Sequence, residues 1–318
     1  MKSGPTEEVL LRHVATILGL GILVTLAGCS STRWGFVKNN DHPATPAGST
    51  EPLSAAQLVE YLNNNADRIQ GLRVEELELT CTQGIKSFGL RGTMVAEKKR
   101  NFRLVAKTLG NPVVDLGSND QEFWYWISKG DPYQFYCAYK DLEEGRVRRM
   151  PFPFQPEWVM ESMGLGPYGP PEKYQLERDA DTIRLVEKTK SPQGTPVRKV
   201  IVIKANPVQL PNAQVTDYLL LDDASAKEIC GAHISEVQID RATGAIVPKR
   251  IALHWPLEKL TLALRLDELT LNPQVPREVF RRLPMRDVQS FNLARGQIDN
   301  TPPPNDISSV RPVQGFGP

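Results

Sequence analysis

The sequence predicts a mainly β protein with a few helices, in which a single large antiparallel sheet curls into an unclosed half-barrel capped by helices. Apolar and polar residues alternate in about eleven successive segments, as expected of strands with one buried and one solvated face. No long helical segment separates these strands, which disfavours a parallel α/β fold. A sheet of this size must curl or close to cover its apolar face.

The first predicted element is a helix between Ser54, a favoured N-cap residue, and Gly71, a favoured helix terminator. Leu58, Leu62 and Ile69 recur on one face at helical spacing, so this face should pack on the sheet. The run of asparagines at 63–65 lowers the helix propensity. We therefore expect the helix to depend on packing for its stability.

Strands are predicted where apolar and polar residues alternate, with a period of two. A proline-rich segment at 150–171 interrupts them and contains a predicted short helix at 157–163, and another short helix is predicted at 276–282. The turn 240–244 is typical of a hairpin, because Gly244 is free to adopt a positive φ. The predicted strands cover 72–82, 86–98, 101–107, two segments within 112–139 around a turn at 128–132, then 174–178, 182–188, 197–205, 218–222, 233–240, 245–254 and 260–271.

The segment before the domain predicts a lipoprotein signal. The apolar run Val14–Leu26 is 13 residues long, whereas a helix needs roughly 20 to cross a bilayer. It ends in Leu26-Ala27-Gly28-Cys29, the pattern of a bacterial lipobox, which predicts cleavage between Gly28 and Cys29 and lipid on the Cys29 thiol. The alternative is a buried or membrane-retained helix with a chance cysteine.

These observations divide the chain into four parts. Residues 1–28 are the predicted signal peptide, 29–53 a lipidated flexible tether, 54–284 the β domain and 285–318 a proline-rich disordered tail. The lipid predicts a membrane-anchored protein of the bacterial envelope. By analogy with enteric lipoproteins, a serine after Cys29 rather than an aspartate favours the outer membrane, facing the periplasm.

Composition excludes some classes of function and leaves the thiols open. Basic and acidic residues number 38 and 37, so no nucleic-acid footprint is predicted. Cys81, Cys137 and Cys230 would meet oxidising conditions outside the cytoplasm, where one disulfide and one free thiol are expected. The alternative is that they are small buried apolar residues.

The sequence shows no set of residues typical of catalysis or of metal binding. The stretch 164–169 has the letters of a dinucleotide-binding G-x-G-x-x-G, but Pro167 and the prolines at 170–171 exclude the helix that such a site needs. Cys230 and His233 supply only two ligands, whereas zinc takes three or four. No nucleophile and base are paired in a recognisable motif, which disfavours a hydrolase. We therefore expect no enzyme activity, no cofactor and no metal.

The apolar faces of the strands predict a site for acyl chains if they enclose a cavity. Such pockets are apolar with few polar groups, but the sequence leaves open whether the concave face is hollow or filled. The run 123–126 is aromatic on both faces of its strand, which indicates either two-sided packing or contact with a ligand. The residues predicted to line a cavity are Phe88, Leu90, Met94, Phe102, Leu104, Trp124, Trp126, Ile251, Leu253, Trp255, Leu262, Leu264 and Leu266.

Three stretches carry a family resemblance. They are the helix-to-strand segment LNNNADRIQGLRVEELELT, the turn and aromatic strand SNDQEFWYWI, and the hairpin EVQIDRATGAIVPKRIAL. With them the chain resembles, over residues 54–284, the LolA/LolB-type lipoprotein-carrier fold. Members usually have a glycine after the turn aspartate, where this chain has Gln121. The resemblance implies an unclosed antiparallel barrel capped by helices. Members include periplasmic carriers, membrane-anchored acceptors and lipid-binding envelope sensors.

Together these observations lead to one functional hypothesis and one rival. The hypothesis is a non-enzymatic envelope lipoprotein that binds acyl chains or a lipidated protein on its concave face, as an acceptor or sensor. The rival is a protein-binding or scaffold lipoprotein with a filled core, whose protein partner is unknown.

Overall fold

The computed structural model describes residues 52–128, 132–147, 150, 153–285 and 287–299. The predicted signal peptide, Cys29, nearly all of the tether and residues 300–318 lie outside this part of the chain. Within it, no helix is both long enough and apolar enough to cross a membrane.

Fifteen strands form a single sheet in the described residues. This confirms the predicted class, a mainly β fold with a large unclosed sheet. The strands are β1 (Gly71–Gln83), β2 (Lys86–Glu97), β3 (Asn101–Thr108), β4 (Asn111–Ser118), β5 (Glu122–Ile127), β6 (Tyr133–Ala138), β7 (Tyr174–Arg178), β8 (Thr182–Lys190), β9 (Pro196–Lys204), β10 (Val215–Asp222), β11 (Glu228–Ile239), β12 (Ile246–Trp255), β13 (Leu260–Leu271), β14 (Gln289–Asn292) and β15 (Gln297–Asp299).

The strand order is β15-β14-β6-β5-β4-β3-β2-β1-β13-β12-β11-β10-β9-β8-β7. Neighbouring strands of this described sheet are antiparallel except β14 and β6, which are parallel, so the sheet is mixed rather than purely antiparallel. The strand count exceeds the prediction because residues 111–127 form two strands about a turn at 119–121, and because β14 and β15 add two more.

Close approach between strands helps the sheet to curl. A Cβ atom at Gly92 in β2 would lie only 2.2 Å from the carbonyl oxygen of Val105 in β3, so only glycine allows this contact. In β1 the pairing with β2 shifts register between Val74 and Leu77, and such bulges increase the local twist.

In the part of the chain that the structure describes, three helices accompany the sheet: α1 (Ala55–Ala66), α2 (Tyr139–Glu143), which the sequence does not predict, and α3 (Pro156–Ser162). Ser54 caps α1 in a capping box with Gln57, and the buried face of α1 carries Leu58, Val59, Leu62 and Ala66. Two of its asparagines also bind distant backbone. Asn65 donates to the carbonyl oxygen of Ile246 at 2.8 Å and accepts from its amide at 2.7 Å.

The end of the described chain differs from the expected disordered tail. The predicted short helix is a 3₁₀ turn at Arg277–Phe280, and β14 then pairs with β6. We call residues 276–299 the C-terminal strap. It is ordered by side-chain packing: Leu293 is buried, and the ring of Phe291 lies 5.4 Å from that of Phe135. The expectation of disorder from residue 285 is therefore wrong for 289–292 and 297–299.

Candidate functional site

The structure brings most of the predicted cavity residues together, but as a filled core. Leu90, Met94, Phe102, Leu104, Ile251, Leu253, Trp255, Leu262, Leu264 and Leu266 are at most 8% exposed and belong to one hydrophobic cluster with α1 and α3. Phe88 is half-buried at the edge of this cluster. These residues stabilise the domain, and the accessible space of the concave face lies elsewhere.

Trp124 and Trp126 do not face this cluster, so their assignment to a common cavity is wrong. Alternation along β5 places them on the outer face, while Phe123 and Tyr125 face the core. The C-terminal strap covers the outer face here, since its residues form hydrogen bonds with side chains of β3, β5 and β6. The aromatic run is thus explained by packing on both faces, with the strap rather than a helix as the outer cover.

An ion pair lies beside Trp124 on the outer face. The guanidinium of Arg103 binds both carboxylate oxygens of Asp115, at 2.9 and 3.0 Å, and both side chains are buried. Trp124 donates its indole N–H to Asp115 at 3.3 Å, and Arg103 also donates to the carbonyl oxygen of Arg281 in the strap. This cluster is satisfied internally and holds the strap to the sheet.

The candidate site is a cavity of about 310 Å³ between α3, the following loop and the inner face of β7 to β10. None of the residues predicted to line a cavity lies in its wall. We call it the tyrosine pocket. Its wall includes Trp158, Glu161, Tyr168, Tyr174, Glu187, Lys199, Ile201 and Tyr218.

Strands β8 and β9 and helix α3 position much of this wall. Glu187 of β8 and Lys199 of β9 are directly paired and share the inner face with Leu185 and Ile201, which belong to the core. Trp158 of α3 packs edge-on against Trp255, with ring centroids 6.3 Å apart, and so joins the pocket to the core.

The loop after α3 forms the roof of the pocket. Asn63 of α1 accepts the amide of Tyr168 at 3.0 Å and donates to its carbonyl oxygen at 3.2 Å, which fixes Tyr168 over the site. The glycines of the weak G-x-G-x-x-G match lie in this loop. Gly164 has a φ of 89°, and only a 3₁₀ turn at Pro171–Lys173 follows, so the expected proline-glycine loop is confirmed.

Charge of both signs faces the pocket. The ammonium of Lys199 lies 3.1 and 3.2 Å from the two carboxylate oxygens of Glu161. Burial raises the pKa of Glu161, and the positive charge of Lys199 opposes this shift. Across the described residues, no ion pair involves Glu187, the other carboxylate of the wall.

The tyrosines form a directed chain of hydrogen bonds. The hydroxyls of Tyr168 and Tyr218 lie 2.7 Å apart, and Tyr168 donates to the backbone carbonyl of Glu161 at 3.0 Å. Tyr218 must therefore donate to Tyr168. Burial raises the pKa of the Tyr168 and Tyr218 phenols. The pKa of Tyr174 is raised to about 12, mainly by burial. All three side chains are therefore neutral hydrogen-bonding groups near pH 7.

A second, open groove of about 750 Å³ is lined by residues of β1, β2 and β3 and ends at Leu109. Leu109, Ile85 and Leu257 are almost fully exposed at the tips of three hairpins that lie side by side in the sheet. Two of these tips are joined by a hydrogen bond of 3.0 Å from the Gly84 amide to the Lys259 carbonyl.

The histidine and cysteine candidates do not form a site. Cys230 is buried on the inner face of β11, whereas His233 is exposed and binds Asp217 at 2.8 Å, so the two point in opposite directions. Cys81, Cys137 and Cys230 are all buried free thiols. The structure therefore favours the alternative that they are small buried apolar residues.

No protein-family model matches the chain, and no curated protein matches it in sequence. Among solved structures it is similar to a LolA superfamily protein from Nitrosomonas europaea, at 10% identity and a TM-score of 0.43 over 71% of this chain and 97% of that one. It is also similar to a domain from Vibrio parahaemolyticus that is provisionally described as an outer membrane lipoprotein-sorting protein. The identity is 8% and the TM-score 0.44, over 70% of this chain and 95% of that one. A third similar structure is a DUF1329 family protein from Desulfovibrio piger, at 9% identity and a TM-score of 0.44 over 72% of this chain and 98% of that one. What this chain binds has to be argued from its own residues.

Proposed function

We propose that the chain is a membrane-anchored lipoprotein of the bacterial envelope that binds a ligand bearing an acyl chain, either a lipid or a lipidated protein, on its concave face. The tyrosine pocket carries this proposal, because its wall is amphipathic. Trp158 and Ile201 connect it to the apolar core, while Glu161, Glu187 and Lys199 place charges on another side. A ligand with an apolar chain and a polar end matches such a wall.

The volume of the pocket limits what it holds in this conformation. At about 310 Å³ it is at the lower end of the range of ligand sites, enough for a polar end and the beginning of a chain. A longer chain requires α3 to move away from the sheet. Helix α3 is short and has no side-chain cap at its N-terminus, but five of its seven residues are buried, so this movement would have to expose apolar surface that the ligand chain then covers.

The predicted anchor bears on whether the protein would carry the ligand away from the membrane or receive it there. A freely diffusing carrier has to leave the membrane, whereas a chain lipidated at Cys29 stays on it. An anchored domain with a lipid pocket is better suited to receive or sense the ligand. This role is non-catalytic and needs no cofactor.

Lipid extraction from the purified full-length protein, followed by mass spectrometry, tests this function. We expect near-stoichiometric lipid with the wild type and its loss in Gly169→Phe. The atoms nearest to a Cβ at Gly169 all belong to the flexible side chain of Lys173, the first at 3.1 Å, so we expect the larger side chain to fill the pocket without displacing backbone. Gly89→Phe is the matched control, because a Cβ there has no atom within 4 Å and the residue lies in the open groove.

The outcomes separate the two cavities. Loss of lipid in Gly89→Phe but not in Gly169→Phe would move the site to the open groove. A wild-type protein that carries no lipid would contradict acyl binding.

A scaffold function remains the second candidate. The dense filling of the predicted cavity favours it, as do the exposed side chains of Ile85, Leu109 and Leu257 at neighbouring hairpin tips. Lipid-free wild-type protein would support this function over the first.

A further inference from the structure

We infer that the tyrosine pocket binds the ammonium group of a phospho-ammonium head group, of the ethanolamine or choline class, with the phosphate held at the mouth by Lys173. This inference rests on the proposed function and names the polar end of its ligand. It follows from the charges, the aromatic walls and the direction of the hydrogen bonds.

The charges inside the pocket favour a cation. Among the described residues, two carboxylates, Glu161 and Glu187, line it, whereas Lys199 supplies a half-buried ammonium and Lys173 an exposed one. Glu161 already neutralises Lys199 through two contacts within 3.2 Å. The carboxylate of Glu187 is left without an ion-pair partner in the described chain, and a ligand ammonium would supply one.

Aromatic side chains form much of the remaining wall. Trp158, Tyr168, Tyr174 and Tyr218 all border the same small volume, and the rings of Tyr168 and Tyr218 are stacked, with centroids 6.4 Å apart. Faces of indole and phenol rings attract cations, most strongly where water is excluded. Rings beside a free carboxylate are the usual surroundings of a bound ammonium group.

The hydrogen bonds disfavour an anion deep in the pocket. Tyr218 donates to Tyr168, and Tyr168 donates to the Glu161 carbonyl, so neither hydroxyl proton is available to a ligand. Tyr174 accepts from the Gly169 amide at 3.3 Å and keeps its own proton to donate. Lys173 is exposed at the rim. Tyr174 and Lys173 are thus the groups that would receive a phosphate, both on the side of the roof loop.

Binding measurements on the full-length protein in dodecyl maltoside test the inference. The probes are dihexanoyl phosphatidylethanolamine, dihexanoyl phosphatidylglycerol, which lacks the ammonium, and free phosphoethanolamine. The variant is Glu187→Gln, which keeps the shape of a half-buried side chain and removes its charge. The control is Glu177→Gln on the opposite face of the neighbouring strand β7, with melting temperatures recorded for both.

We expect the wild type to bind the ethanolamine lipid at least about tenfold more tightly than the glycerol lipid. Glu187→Gln should abolish that preference by weakening the ethanolamine lipid alone, and Glu177→Gln should bind as the wild type does. Equal affinity for the two lipids, or an unchanged preference in Glu187→Gln, overturns the inference.

The remaining outcomes separate it from the proposed function. If both lipids bind equally and Gly169→Phe abolishes both, the acyl site stands and the head-group inference is wrong. If free phosphoethanolamine binds as tightly as the ethanolamine lipid, the ammonium site stands and the acyl-binding function is wrong. If no probe binds, both are wrong.

Discussion

At the scale of single residues, buried polar groups determine how the outer face is closed. The Arg103–Asp115 pair lies under the C-terminal strap, where burial raises the pKa of Asp115 and the charge of Arg103 opposes the shift. Burial therefore disfavours the ionised carboxylate by more than the guanidinium and Trp124 favour it. We therefore expect the pair to fix the position of the strap more than it stabilises the fold.

Asp115→Asn should destabilise the protein by about 3–5 kcal/mol, because it leaves the Arg103 guanidinium buried without its counter-charge. Replacing both partners, Arg103→Met with Asp115→Leu, should restore most of the loss. Glu78→Gln breaks a half-exposed pair with Arg265 and should cost less than about 1 kcal/mol. Urea unfolding measures all three, and a double variant as unstable as Asp115→Asn would contradict this account.

The three cysteines should be unreactive in the folded protein. Each is at most 2% exposed. The pKa of the Cys137 thiol is raised to about 12, chiefly by burial, so little of its thiolate is present near pH 8. Titration with a thiol reagent should detect no fast-reacting group from Cys81, Cys137 or Cys230 until denaturant is added, and then three. Fewer than three after unfolding without reductant would show a disulfide.

At the scale of elements, α1 shows both the strength and the limit of sequence analysis. Its position follows from Ser54 and the apolar spacing, and the structure confirms it. The asparagines look unfavourable in sequence because they lower helix propensity. Their purpose depends on Ile246 and Tyr168, more than a hundred residues away, and local sequence carries no signal for such partners.

The asparagine run provides an internal comparison. Asn65→Ala should cost about 1–3 kcal/mol, because it leaves the half-buried amide and carbonyl of Ile246 without the side-chain partner. Asn64 is exposed and its side chain makes no hydrogen bond to any described residue, so Asn64→Ala should be neutral or stabilise slightly. Thermal unfolding of the two variants checks the difference, and equal effects would show that helix propensity alone decides.

The strap was missed for a similar reason. From residue 285 its polar composition is typical of a disordered tail, yet Leu293 is buried against the sheet, as are Phe280 and Arg282 of the predicted short helix. Arg282 lies 3.8 Å from the ring centroid of Tyr136 and binds Glu122 at 3.0 Å. The aromatic outer face of β5 was the one signal in the sequence that something covers it.

At the scale of the whole molecule, periodicity predicts the class of fold but not where its interior is empty. Strands β12 and β13 have the expected inward leucines, and these fill the core. The pocket is built instead from α3, the roof loop and β7 to β10, where Glu187 and Lys199 interrupt an otherwise apolar inner face. Whether a curled sheet is hollow depends on how its helices are seated, which alternation does not encode.

The predicted attachment to the membrane is also a property of the whole molecule. Growth with an alkyne-labelled palmitate should label the wild type, and Cys29→Ser should abolish the label, because only the thiol at the lipobox is a target. Cys81→Ser is the matched control and should keep the label. Labelling that persists in Cys29→Ser would contradict the anchor.

The most direct test of the central claim is photo-crosslinking with a lysophosphatidylethanolamine that carries a diazirine in its acyl chain, followed by peptide mapping on the full-length protein. The account predicts label on the peptides around Trp158, Ile201 and Tyr218, and its loss in Gly169→Phe. Label confined to the hairpin tips at Ile85, Leu109 and Leu257, with none in the tyrosine pocket, would contradict it.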